Sequence, residues 1–300
     1  QADGTVLALA LNPQESTLYV GGHFTLIGGE NRNYLAAVNT GTGEATPWNP
    51  ELGGDYVATL LLNQDGSTLY AGGGFLQVGN AVRINVAAID TETGLANSWN
   101  PSTELGSLIY DLALSPDGSK VYMGGSFLTA GGQNRNHIAA IDAKTGIATG
   151  WDPNINGTVL SLTTNQDGSL IYVGGNFTLI NNETRNNVAA INSETGEITS
   201  WDPNADEHLH NLAISPDGLT IYIAGGFEQV GGDVRHHLAA VDAATGSVKD
   251  WNPNAHGGHA YTLAFSSGSA EIYAGGEFTS VGGQMRKNIA AIDRSGVATS

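Results

Sequence analysis

Four histidines fall in two short stretches, His208-Leu209-His210 and His256-Gly257-Gly258-His259. H-x-H on an extended segment puts two imidazoles on one face, a workable spacing for chelating a metal. With Asp206 or Glu207 alongside, a His/carboxylate site centred on His208 and His210 is one reading. Solvated polar loop residues are the other, and the sequence leaves both open. Tyr56, Tyr110 and Tyr261 sit in matching stretches elsewhere in the chain. Rings that stack, beside Asn, Asp and Gly that orient a ligand, suit a sugar or a peptide. The expected ligand-binding set is therefore Tyr56, Tyr110, His208, His210, His256, His259 and Tyr261. Asp111 is the only charged residue inside a series of apolar stretches, where its counterparts are Ala8, Thr59, Ser161, Asn211 and Thr262. It reads either as an acid with a raised pKa or as an acceptor of backbone and hydroxyl hydrogen bonds. If the chain is an enzyme, Asp111, His208, His210 and His259 are its candidate catalytic residues. His23, His236 and His237 read as ordinary surface or strand residues.

Other chemistry is excluded more firmly. The chain has no Cys, so disulfides, thiolate catalysis and Cys-ligated zinc are ruled out. It has no H-E-x-x-H, G-x-S-x-G or P-loop motif. The Asp-Gly pairs at 65, 117, 167 and 217 lack the D-x-D-x-D-G ladder of calcium loops and read as hairpin turns. No cofactor is expected. Net charge is −18, yet only 13% of residues are charged. A phosphate-binding face needs clustered Lys and Arg, so nucleic acid and anionic membrane surfaces are poor partners. No apolar run approaches the ~20 residues of a membrane-spanning helix.

The segments that must position these residues are written six times, 50 to 52 residues apart. The pattern is aliphatic-Tyr-x-G-G-x-F, a short loop, R-x-x-h-A-A-h-D/N, then T-G, then W-D/N-P, where h is aliphatic. Repeats of this length cannot bury their own faces and must lean on neighbours. In the third copy, Leu108 to Leu114 alternates as a strand and Ser115-Pro116-Asp117-Gly118 is a turn. Lys120 to Met123, Asn136 to Asp142 and Ile147 to Trp151 read as three further strands, with Ala143-Lys144-Thr145-Gly146 as a tight turn. No segment carries a sustained 3.6 period, so no helix is expected. The expectation is an all-β fold: a six-bladed β-propeller of four antiparallel strands per blade. It would be one domain over 1–300, with repeats at about 1–52, 53–103, 104–155, 156–205, 206–255 and 256–300. The tail Gly296 to Ser300 matches Gly196 to Ser200, and Gln1 to Gly4 matches Asn204 to Glu207. Joined, they complete the pattern but for one W-N-P, which predicts adjacent termini. A longer array cut at both ends is the alternative.

The repeated residues have mechanical explanations. The Gly pairs allow close backbone approach. Trp48, Trp99, Trp151, Trp201 and Trp251 are expected to wedge between neighbouring blades, and the Pro two residues on stiffens each link. Arg32, Arg83, Arg135, Arg185, Arg235 and Arg286 occupy one position in every copy. They read as a polyanion-binding ring or as struts forked onto carbonyls or a carboxylate. The net charge favours struts.

The Gly pair after an aliphatic-Tyr strand, with D-x-x-T-G and Trp, resembles a kelch-type blade. Ala88, Asp90, Thr93, Gly94 and Trp99 are also similar to the Trp-docking motif of quinoprotein propellers, with the Trp one residue later than that motif has it. Over the whole chain the pattern most resembles the G-G-x-F, A-A-h-D, W-x-P propeller repeats of large secreted and surface proteins. That resemblance implies surface display and binding rather than a reaction. The expected function is a non-catalytic binding or adhesion module of a secreted or cell-surface, bacterial, multidomain protein. Its ligand would be a glycan or a protein at the channel mouth or on one face. A glycan-active hydrolase or lyase, and an architectural spacer, are the alternatives.

Overall fold

A computed structural model describes residues 1–266 and 271–299. Residues 267–270 of the sixth repeat and Ser300, the end of the tail match, lie outside the described part. Every regular element among the described residues is a strand, and every pairing is antiparallel. The chain forms two compact units, Gln1–Asp152 and Pro153–Ser300, which hold repeats one to three and four to six.

Each repeat builds one sheet in which the second strand lies between the first and third. In the third repeat these are Ile109–Leu114, Lys120–Gly125 and Ile138–Asp142. The central strand is buried from Val121 to Gly125, and Val121 and Met123 pack against Tyr70 and Val86 of the second repeat. Ala139 and Ala140 of the third strand are fully buried, where only small side chains let sheets approach. The fourth strand expected over 147–151 is a single bridge, Ile141 to Ala148. The ladder stops because the Thr149 carbonyl accepts from the Arg135 guanidinium instead of a strand partner. Five sheets are thus three-stranded, not four-stranded.

The loop between G-G-x-F and Arg is also more ordered than a loop. Thr129–Ala130 and Gln133–Asn134 form a small hairpin whose turn residues, Gly131 and Gly132, both have positive φ (56° and 78°). Such a two-residue turn matches the strand twist and needs glycine. In the second repeat this hairpin merges with long strands, Leu52–Leu62 and Thr68–Val78, into one four-stranded sheet.

The apolar cores lie between repeats. Trp201 of repeat four is buried and donates its indole N–H to the Asp242 carbonyl of repeat five at 2.9 Å. The Tyr172 ring meets Trp201 edge-on at 5.0 Å, and its hydroxyl donates to the Ala243 carbonyl. Trp48, Trp99 and Trp251 make the same reach, to Asp90, Asp142 and Asp293. Trp151 is buried against Tyr122. Two faces break this rule. Leu9 of the first strand is 60% exposed, whereas its counterparts Leu112, Leu162, Leu212 and Leu263 are buried. Ile289 of the last repeat is 68% exposed, whereas Leu35, Val86, Ile138, Val188 and Leu238 are fully buried.

Candidate functional site

The repeat places its variable side chains through a backbone irregularity. Each first strand slips register against the second just before its small polar or Ala position, for example between Leu209 and Asn211. The slip recurs between Val6 and Ala8, Val57 and Thr59, Ile109 and Asp111, Val159 and Ser161, and Ala260 and Thr262. The residue left over in each bulge is Leu7, Ala58, Tyr110, Leu160, His210 or Tyr261. A bulge bends the strand and re-aims that side chain. The second Gly of the G-G pair fixes it there. A Cβ on Gly225 would lie 2.3 Å from the His208 carbonyl oxygen, and one on Gly276 2.2 Å from that of His259. The same contact pairs Gly73 with Tyr56 and Gly125 with Leu108. Tyr56, Leu108, Thr158, His208 and His259 are therefore equivalent, two residues before the bulge. The sequence-predicted binding residues, His256 apart, occupy just these two positions.

The polar residue after the bulge has its own duty. The Asn211 carboxamide oxygen accepts from the Leu263 N–H at 3.0 Å, and the Ser161 hydroxyl from the Leu212 N–H at 3.2 Å. The Asp111 carboxylate accepts from the Leu112 N–H at 2.8 Å and from the Thr59 hydroxyl at 3.4 Å. The bulge frees an N–H, and this column of small polar side chains satisfies it. Asp111 lies in the first unit and the histidines in the second.

In the second unit the imidazoles converge. The Nε2 atoms of His208 and His210 are 3.2 Å apart, and the rings stand nearly perpendicular with centroids at 4.7 Å. His259, from the next repeat, brings its ring within 5.4 Å of His208 and 5.8 Å of His210. One ligand nitrogen from each of the three lies within 4.8 Å of the others. Tyr261 meets His210 edge-on at 4.7 Å. Burial, then the neighbouring His208 and His259, holds His210 down to about 4, against a smaller opposing effect of Glu277. Glu207 reaches to 3.7 Å from His208 Nδ1. Asp206 is committed elsewhere, accepting from the Glu228 and Gln229 N–H groups as Asp3 does from Thr25 and Leu26.

His236 and His237, expected to be ordinary, belong to this region. The His237 ring is 5.5 Å from His259, and burial followed by that neighbour lowers its pKa. His236 lies 5.1 Å from His256, so His256 meets His236 rather than the three converging rings. The signal available in sequence was the position: R-x-x ends in Tyr34, Asn85, His137, Asn187, His237 and Asn288, all at φ between 65° and 68°. Asn and His are among the residues that tolerate this left-handed conformation. In the first unit, Tyr56 and Tyr110 are neighbours. Burial raises both pKa values, with the charge of Tyr110 adding to the effect on Tyr56. His23 is exposed and pairs with Asp55 at 3.0 Å.

The arginines face their own backbone. Arg185 donates to the Thr184 and Thr199 carbonyls and lies 3.9 Å from Asp202. Arg32, Arg83, Arg135, Arg235 and Arg286 repeat the two-carbonyl fork.

A family model described as the outer membrane protein assembly factor BamB matches residues 10–252. The chain belongs to that family. Among solved structures, a chain in a crystal structure of the mitotic checkpoint complex superposes with a TM-score of 0.62 at 17% identity. The match covers 100% of this chain and 77% of that one, and at this identity it shows the fold alone. No curated protein matches. The BamB family and this neighbour together support a β-propeller repeat protein.

Proposed function

We propose that this chain is a non-catalytic binding module of the bacterial envelope or exterior, and that its ligand docks on the bulge positions. One observation carries the reading. Backbone geometry at the bulge recurs in repeat after repeat, while the side chains it presents change from copy to copy. A scaffold that holds position constant and varies chemistry is what a specific interface needs. Tyr56 and Tyr110 in one unit, and His208, His210, His259 and Tyr261 in the other, supply aromatic surface with polar edges. His256 stands beside them through His236. Aromatic anchors of this kind are enriched at interfaces. BamB membership favours a protein ligand, and a glycan is the second class such a surface fits. The chain is read as one domain and one part of a larger secreted, periplasmic or surface protein. Six blades, one per repeat and with adjacent termini, is the count we propose. The exposed faces at Leu9 and Ile289 need cover, which a closed ring provides from within and a longer array from further repeats.

The test is saturable binding that Tyr110→Ala and Tyr261→Ala remove. Purified envelope proteins and a glycan array are the two probes. Binding indifferent to both substitutions moves the ligand elsewhere. Turnover of a glycan overturns the non-catalytic reading, and neither binding nor turnover leaves a spacer.

A further inference from the structure

We propose that His208, His210 and His259 form a binding site for a divalent transition metal ion of the zinc type, joining repeat five to repeat six. The argument is geometric. Tetrahedral zinc with metal–nitrogen bonds of about 2.0–2.1 Å holds its ligand nitrogens about 3.3 Å apart. His208 Nε2 and His210 Nε2 are already 3.2 Å apart. The third nitrogen, from His259, lies within 4.8 Å of both, so a modest side-chain rotation closes the set. Imidazole donors with no thiolate select zinc, copper or nickel over calcium or magnesium.

The surroundings fit a site of this kind. His208 would ligate through Nε2, leaving Nδ1 toward Glu207 at 3.7 Å. A carboxylate behind a ligating imidazole fixes the ring and its tautomer. The floor is Gly226, where a Cβ would lie 3.0 Å from His208 Cε1 and 3.1 Å from His259 Cε1. The equivalent residues are His23, Gly74, Ser126, Asn176 and Glu277, so a side chain is compatible with the repeat at this point. At Gly226 its absence lets two imidazoles close over the backbone. Tyr261 walls one side, edge-on to His210. Three ligands leave one coordination position open, to water or to a donor from a bound partner.

Zn²⁺ titrated calorimetrically into the chelator-treated chain should bind one equivalent, and Co²⁺ should give a tetrahedral visible band. Zn²⁺ should also raise the melting temperature, since it binds the folded state. His210→Ala and His259→Ala should each weaken binding by at least about tenfold. Gly226→Asn, which borrows the residue of repeat four, should fold with an unchanged metal-free melting temperature and lose the Co²⁺ band. His256→Ala should bind as the unaltered chain does. The proposal fails if the unaltered chain binds neither ion. It also fails if one equivalent still binds after His208, His210 and His259 are all replaced by Ala, or if Gly226→Asn folds and binds undiminished.

Discussion

Arg185 shows what a residue repeated in every copy is for. Its guanidinium spans the Thr184 and Thr199 carbonyls, which a lysine ammonium cannot bridge. Arg185→Lys should lower stability by about 1–3 kcal/mol in denaturant unfolding. An unchanged midpoint would return these arginines to a ligand-binding role. His137 illustrates a copy-specific effect. Burial lowers its pKa below 6.5, outweighing a Gly125 hydrogen bond and the charge of Glu104. It is therefore neutral in the fold. Its contribution is intact above about pH 6.5 and is lost as pH falls from there through the folded value. His137→Asn uses the residue found at Asn85, Asn187 and Asn288, all at positive φ. It should leave the melting temperature near pH 8 unchanged and reduce the loss between pH 7 and pH 5. An acid slope identical to that of the unaltered chain would contradict this.

At the scale of elements, the recurrent features were the legible ones. Trp201 and the Arg series could be read because a mechanical residue must recur wherever its contact recurs. Trp201→Ala removes a wedge and its bond to Asp242, and should cost about 3–5 kcal/mol in chemical unfolding. A cost below 1 kcal/mol would mean that the repeats hold together without it. Register was not legible, because the Gly that fixes each bulge stands on the facing strand and nothing within the first strand marks His210 or Tyr261 as the residue left over. The expected fourth strand fell to one bridge because the guanidinium of Arg135, 14 residues earlier in the same repeat, takes the Thr149 carbonyl. The small hairpins did carry a signal. Gly131-Gly132, between Ala130 and Gln133, is a two-residue turn, not the loop expected from sequence. His237 was missed because its partner, His259, is a neighbour only through the packing of two repeats.

At the scale of the molecule, sixfold repetition dictates that every sheet has two faces to cover. Leu9 and Ile289 are the exceptions. If a repeat-like face covers Leu9 in solution, Leu9→Asp should lower the melting temperature as a core substitution does, although 60% of the residue is exposed. An unaltered melting temperature would show that this face stands free. The whole-chain function rests on the bulge positions, and photo-crosslinking probes them most directly. Benzoylphenylalanine would replace Tyr110 or Tyr261 at the bulges, and Leu219, exposed in the hairpin turn at the other end of its strand, as control. In cells, one shared partner should crosslink from Tyr110 and Tyr261 and not from Leu219. Crosslinking from Leu219 alone, or equally from all three, would contradict a bulge-borne interface.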